Sequence, residues 1–578
     1  MQEIKNIEAA QAANPPLPER FYYRPGDGAL MYEKRVKDDE IEPVKICPHV
    51  EFKGRTYGEQ WGYLLQFQDG LGRLRRIAIP ARLFQINGAE WAGILADSGM
   101  DVEPGQQRLF MQCCMAIKDR LPLVQNVAKV GWTYQDAHGL PSYVLPDSVY
   151  SAGNDSSIVF QSGMGAMPSL YTQAGTLEGW KELAALCTGN TRLIFALCVA
   201  FAGPLLHLAG IDGGIFNFEG ASSGGKSTAL RVAASVWGNP DNHMRTWRTT
   251  DNGLEAVAPL FNDNMLTLDE LGQVGARALS ETAYMIANGS GKSRAARNGT
   301  ARNLATWRTA ILSSGELNLA AKLAEEGLDV KAGQLVRFIG IPLMKEHLAD
   351  LHGMDAGELI VKLNSLSRLH YGMAGRMYLQ ALVNALGSNK ENLQARLRTK
   401  IDETAAQWIP KGADPQVMRI AKRFALVMRA GLFAQYASIL PPEMDIHGAI
   451  KSCLDDWLKE RGSIGEQETA AILDHVKTFI ERHGQSRFQD SKYPDQTVIN
   501  RAGFKEDSLD GLTYFVFTGV FKSEVIKGFS VKQAVNVLKR AGWLITQSGG
   551  HNTINKRLPG MDQTRVYAIR IIDGGGEV

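Results

Sequence analysis

An α/β protein organised around a parallel sheet is predicted by three observations on this 578-residue sequence. Between Gly214 and about Leu343 short apolar runs alternate with helical patterns, the rhythm of strands and helices that builds a parallel sheet. Within that stretch, Gly220-Ala-Ser-Ser-Gly-Gly-Lys226-Ser227 fits G-x-x-x-x-G-K-[ST]. A buried-strand pattern, GIFNFE, precedes it and a helical one, STALRVAASVWG, follows.

Composition sets the frame. Hydrophobic residues make up 44% and charged ones 21%, as in ordinary chains with real cores, and the formal net charge is +2. Any nucleic-acid surface must therefore be a local patch. The six cysteines form no CxxC pair and no zinc spacing with histidine, which reads as buried thiols in a reducing compartment. The opening MQEIKNIEAAQAANPP has no apolar core of a signal peptide, so a cytoplasmic location is expected. LIFALCVAFAGPLLHLAGI from Leu193 is apolar enough for a membrane span. Its Gly203, Pro204 and His207, and its lead into the glycine loop, favour a helix buried beneath that domain, with no membrane.

The chain divides by pattern. Residues 1–19 are polar and read as a flexible N-terminus. Residues 20–165 form a β-rich N-terminal domain, with RPGDG and QDGLG as hairpin turns and a helix in QQRLFMQCCMAIKDR. Residues 166–344 hold two helices and then the α/β core. Residues 345–462 read as helical throughout, and 463–578 mix helices with short strands.

Each candidate site residue follows from chemistry. Backbone N–H groups of Gly220, Ala221, Ser222, Ser223, Gly224 and Gly225 would wrap a phosphate at a helix N-terminus. Lys226 would neutralise phosphate charge, the Ser227 hydroxyl would take up Mg²⁺, and Thr228 completes the set. NMLTLDELG ends an apolar strand in Asp269-Glu270 about 40 residues beyond the loop. There Asp269 would hold the metal shell and Glu270 polarise an attacking water. TWRTAILSSGE ends in Ser313-Ser314, either a strand-end cap or a contact to the γ-phosphate or lytic water. Arg337 precedes the strand in GQLVRFIGIP, either in a surface ion pair or as an arginine finger.

This order of motifs resembles the AAA+ ATPases. More narrowly, GASSGGKST, TWRTTDNGLEAVA, LDELGQ, YMIANGSGKSRA, LSSGE and VRFIGIP resemble a phage- and plasmid-borne family first described as a domain of unknown function. Its relatives include the MCM-like, self-loading replicative helicases of staphylococcal cassette elements. The resemblance implies an AAA+ P-loop core binding ATP and Mg²⁺, a ring-shaped homo-oligomer such as a hexamer, and ATP-driven DNA unwinding. It also implies that 345–462 is the lid over the nucleotide. Arg419, four residues before Arg423 on one helix, is then a candidate second sensor, or part of an ion pair.

Two basic segments are candidate DNA contacts. Residues 289–308 carry Lys292, Arg294, Arg297, Arg302 and Arg308 and no acid. That is either a solvated loop or, as the resemblance implies, a hairpin on single-stranded DNA in the ring channel. Residues 521–570 carry nine Lys or Arg against two acids, net +7, in a winged-helix-like pattern. Lys556 and Arg557 lie in its basic loop, which suits duplex DNA or protein docking. The function expected is an ATP-dependent DNA helicase or translocase of a mobile element. The alternative is a nucleotide-switched DNA-binding or defence ATPase that does not unwind.

Overall fold

The computed structural model describes residues 15–36, 40–86, 88–134, 141–152, 158–161, 170–221, 224–248, 251–291, 305–328, 332–409, 413–461, 467–493, 495, 497–509, 511–529, 531–546 and 552–572. Two compact units result. Met1–Leu328, Gly333–Trp408 and Ile420–Leu454 form the first; Asp329–Ala332, Ile409–Arg419 and Asp455–Val578 form the second.

The first unit begins β-rich. RPGDG joins Phe21–Tyr23 to Leu30–Arg35, and QDGLG joins Gly62–Gln68 to Leu74–Pro80, each pair antiparallel. Aromatic stacking of Phe84 on Trp91 and of Trp91 on Phe110 fills the core beneath. Cys47, Cys113 and Cys114 are buried in it, and burial pushes the Cys113 thiol up to about 12.

The centre of the unit is a sheet of five parallel strands: β1 (Gly214–Glu219), β2 (Arg245–Thr246), β3 (Asn264–Asp269), β4 (Thr309–Gly315) and β5 (Phe338–Pro342). Their spatial order is β2-β3-β4-β1-β5. A parallel sheet is buried on both faces, and β1 and β4 are buried along their whole length. Helix α1 (Thr191–Ala209) lies against β3 and β4. By length and apolarity α1 could cross a membrane, yet 94% of its most apolar 18-residue window is buried. Gly203 is needed there because a Cβ would come within 2.4 Å of the Asn264 backbone. Arg192, buried on the same helix, is satisfied by the Pro342 carbonyl at 3.0 Å.

Further helices frame the sheet: α2 (Lys226–Ala234), α3 (Ala276–Asn288), α4 (Ala356–Leu369) and α5 (Pro415–Tyr436). Phe195 of α1 and Phe424 of α5 both pack edge-on against Phe216 of β1. A small antiparallel sheet of Gly131–Tyr134, Pro141–Val144 and Val149–Ser151 docks on the turn before β3. The Trp132 amide donates to Asp263 Oδ2 at 3.2 Å and the Tyr143 hydroxyl to the Asp263 carbonyl at 2.7 Å. Burial pushes the Asp263 carboxyl up to about 6.

In the second unit, six strands form one sheet: Phe488–Asp490, Gly503–Ser508, Gly511–Phe517, Leu544–Ile545, Ile554–Arg557 and Gln563–Ile569. Helices Gln467–His483 and Val531–Arg540 pack together over a core that includes Phe488, Phe521 and Leu538.

His243 yields a prediction. It is fully buried with neither ring nitrogen hydrogen-bonded, between Tyr171 and Phe261. Burial, assisted by nearby Arg245, pulls its pKa down to about 3. Unfolded, it titrates near ~6.5, so below that pH the unfolded chain binds a proton that the folded chain refuses. Stability is therefore full above about pH 6.5 and falls as pH drops toward the folded value. By pH 5 the loss is roughly 2 kcal/mol from this group. Thermal unfolding at pH 7.5 and pH 5 should show a smaller drop in His243→Phe than in the wild type.

Candidate functional site

The C-terminal ends of β1, β3 and β4 converge. β1 runs into the glycine loop, where Gly220 adopts φ +150° and a Cβ would come within 2.3 Å of the Leu343 carbonyl. Gly225, at φ +86°, turns the chain into α2. Only glycine takes both conformations without strain. The Lys226 ammonium, folded back over the loop, donates to the Gly220 and Ala221 carbonyls at 2.6 and 2.7 Å. Burial pulls its pKa down, and the nearby Glu316 and Asp269 carboxylates oppose that. Ser222 and Ser223 lie outside the described residues.

Asp269 is the meeting point. Its Oδ1 accepts from Ser227 at 3.3 Å, from the Glu270 amide at 3.1 Å, and from Ser314 in a short contact. The Glu270 amide also lies 3.3 Å from Ser314 Oγ. Glu270 itself sits in the left-handed region, at φ 61° and ψ 61°. A non-glycine residue held there stores local strain, and such residues cluster at functional sites. The Gln273 amide donates to its carboxylate.

β4 lies between β1 and β3, which brings its end to the loop. Alternation along the strand separates the two serines. Ser314 faces Asp269, whereas Ser313, fully buried, accepts from the Trp247 indole at 2.8 Å. Trp247 itself hangs from the Asp269 carbonyl through its amide. Trp247 falls within the TWRTTDNGLEAVA motif, but its contact with Ser313 leaves no sequence pattern, because the partner is remote in the chain.

Helix α2 is braced from the side. Asp241 accepts from Arg368 of α4 at 2.9 Å and from Arg231 of α2, and these hydrogen bonds hold its carboxyl below the usual carboxylate range. Asn364 of α4 donates to Thr228 at 3.3 Å. These contacts fix the helix whose N-terminus carries the loop; Thr228 was a sequence candidate, whereas Arg231, Asp241, Asn364 and Arg368 carried no signal.

Other candidates lie elsewhere. Arg337 precedes β5 at the end of the sheet opposite the loop, with its guanidinium over the Tyr284 ring and a bond to the Gly333 carbonyl. Arg423 is at that same end, donating to the Val336 carbonyl. Arg419, one turn earlier on α5 and exposed, belongs to the second unit. Lys292, Arg294, Arg297 and Arg302 lie outside the described residues. Their flanks pair antiparallel, with Ser290 opposite Thr306 and the Gly291 amide 2.8 Å from the Ala305 carbonyl. Arg308 contacts His207 Nδ1 at 2.9 Å. In the second unit Lys556 is paired with Glu506 and rests 3.8 Å over the Phe515 ring, while Arg557 is exposed.

Residues 22–306 match the model of a family described as a domain of unknown function (DUF927). A solved structure named as Cch of SCCmec type IV, an active helicase, matches with a TM-score of 0.70 at 18% identity, covering 96% of this chain and 97% of that one. At that identity the likeness shows the fold, which is shared across nearly the whole of both chains. The apo C-terminal region of NrS-1 aligns at 12% identity over 62% of this chain and 76% of that one, and its TM-score of 0.26 is too low to bear on the fold. JCV helicase aligns at 13% identity over 40% and 64%, and its TM-score of 0.21 is again too low. A comparison with curated proteins found no match. The resemblance to the domain-of-unknown-function family and to the cassette-element helicases is borne out.

The two serines give a prediction. Ser313→Ala strands a buried indole N–H, which costs about 1–3 kcal/mol. Ser314→Ala removes a hydrogen bond from a carboxylate that keeps Ser227 and an open side. Thermal unfolding should show Ser313→Ala as the less stable of the two.

Proposed function

We propose that this chain, whose residues 22–306 match the DUF927 family model, is an ATP-dependent DNA helicase or translocase of a mobile element, acting as a ring. The observation that carries the reading is the convergence of Lys226, Ser227, Asp269, Glu270 and Ser314 at one end of the parallel sheet. The strand order β2-β3-β4-β1-β5 supports an AAA+ core, since it inserts a polar-ended strand between the loop strand and the Asp-Glu strand. The helices after β5 then serve as the lid, and the second unit as a winged-helix-like module.

The loop amides and the N-terminus of α2 bind the phosphates of ATP, and Lys226 leaves its carbonyl partners to meet their charge. Ser227 and Asp269 converge as hard oxygen donors, the kind Mg²⁺ takes. Among the described residues no three His, Cys, Asp or Glu cluster, so the remaining metal ligands would come from nucleotide and water. Bound there, the ion neutralises charge on the phosphates. Glu270 accepts a proton from the attacking water, and Ser314 keeps the Asp269 carboxylate oriented.

Arg337 cannot serve its own loop. β5 separates the two ends of the sheet by five residues, roughly 17 Å at about 3.3 Å each. It would serve a neighbouring subunit's nucleotide, as an arginine finger does. The antiparallel flanks at 290 and 306 support a basic hairpin directed at single-stranded DNA. In the second unit, Arg557 suits duplex contact better than Lys556, whose ammonium is already engaged.

The test is steady-state ATPase rate with and without single-stranded DNA, followed by unwinding of a forked duplex. DNA should stimulate hydrolysis and the fork should open, with Glu270→Gln deficient in both by at least 10²-fold. Hydrolysis indifferent to DNA, with the fork closed, would overturn the helicase reading in favour of a nucleotide-switched DNA-binding ATPase. A mixing experiment checks Arg337. Lys226→Ala and Arg337→Ala should each be inactive alone, yet recover part of the rate when mixed, because a composite interface then holds one intact site.

A further inference from the structure

The β-rich part of the first unit shows two aromatic rings to water. Trp61 is 52% and Tyr57 39% exposed, with centroids 6.3 Å apart. The Arg55 guanidinium lies 4.6 Å over the Trp61 ring. Leu123, directly across the sheet from Arg55, is exposed as well.

The turn that presents Trp61 is rigidly built. Buried Asn126 accepts from the Glu59 amide at 3.0 Å and the Gln60 amide at 3.4 Å, and donates to the Gln60 carbonyl. Gly58, at φ +126°, lets the chain pass within 2.8 Å of the Asn126 carbonyl, measured to a Cβ position. The Trp61 carbonyl accepts from Ala81 at 2.7 Å. Thr56, next to Tyr57, is locked to Gln161 at 2.5 Å. A buried asparagine and a glycine at positive φ thus hold an indole where it is exposed to water. Exposed aromatics fixed by their surroundings mark a binding surface.

The chemistry selects the partner. Two aromatic rings and a guanidinium offer flat, polarisable faces to flat ligands, and bases stack on such faces without sequence preference. Arg55, which covers Trp61, also pairs with Asp119 at 3.3 Å. An apolar peptide would need a groove, whereas these rings stand at the hairpin end of the sheet's central strand, Tyr57 on the strand and Trp61 in the turn that follows it. We propose that Tyr57, Trp61 and Arg55 form a stacking platform for single-stranded nucleic acid, built from residues other than those of the nucleotide site and of the basic segment at 289–308.

The experiment is equilibrium binding of a labelled oligothymidylate and a blunt duplex of equal length to the full chain. Tyr57→Ala/Trp61→Ala should weaken single-strand binding by on the order of ten-fold or more, as loss of base stacking does, and leave duplex binding unchanged. Trp61→Phe should retain most of the single-strand affinity. Crosslinking of an oligonucleotide bearing 5-iodouracil should map to Tyr57 or Trp61 in the wild type, which tests the idea without any substitution. Unchanged single-strand affinity in the double variant, or crosslinks confined to other segments, would overturn the proposal. So would a changed sedimentation state of the double variant, which would identify the patch as a protein interface. Basal ATPase, measured alongside, uses neither Tyr57 nor Trp61, so a failed helicase reading and a failed platform give different results.

Discussion

All five central strands run the same way, and that constraint organises the rest. A parallel sheet leaves no face for water, so both sides must be covered by helices. This is why α1 is apolar all round and why its only buried charge, Arg192, finds a carbonyl. Parallel strands also bring every carboxyl end to one edge. Groups distant in sequence, such as Ser227, Asp269 and Ser314, therefore meet without any of the loops having to be long. The opposite edge collects the strand starts, and there Arg337, Arg423 and Arg308 gather instead.

Much of this was legible in the sequence. Apolar runs marked four of the five central strands, the two-residue β2 carrying none, while glycine spacing marked the loop and turn chemistry the N-terminal hairpins. What escaped was whatever depends on register or on remote partners. Ser313 and Ser314 are adjacent and alike, and only the pairing of β4 with β3 decides which side chain reaches Asp269. Asp241 joins Arg231 and Arg368, the latter 127 residues away, by contacts that leave no local pattern. Asn126 shapes a turn 66 residues before it in the same silent way.

Charge counts misled in one instructive respect. Lys556 belongs to a basic stretch, yet its ammonium is shared between the Glu506 carboxylate and the Phe515 ring, and its stem covers apolar surface. A sum over sequence treats every lysine as equally available, whereas a paired lysine must break an interaction before it can meet a phosphate. The same argument applies to Arg55, whose flat face over Trp61 matters more than its charge.

Strain and rigidity then acquire a direction. Glu270 holds a left-handed backbone at the end of β3, and the hydrogen bonds of its amide to Asp269 and Ser314 are what hold it there. A group that moved Asp269, such as a metal ion drawn between it and Ser227, would loosen those bonds and let the Glu270 carboxylate leave Gln273. β3 and β4 reach from this edge to the small sheet at Asp263 and to the flanks of the basic segment, as single stiff elements. A displacement at Asp269 would therefore bear on the far edge through β3 and β4, since close-packed interiors transmit strain.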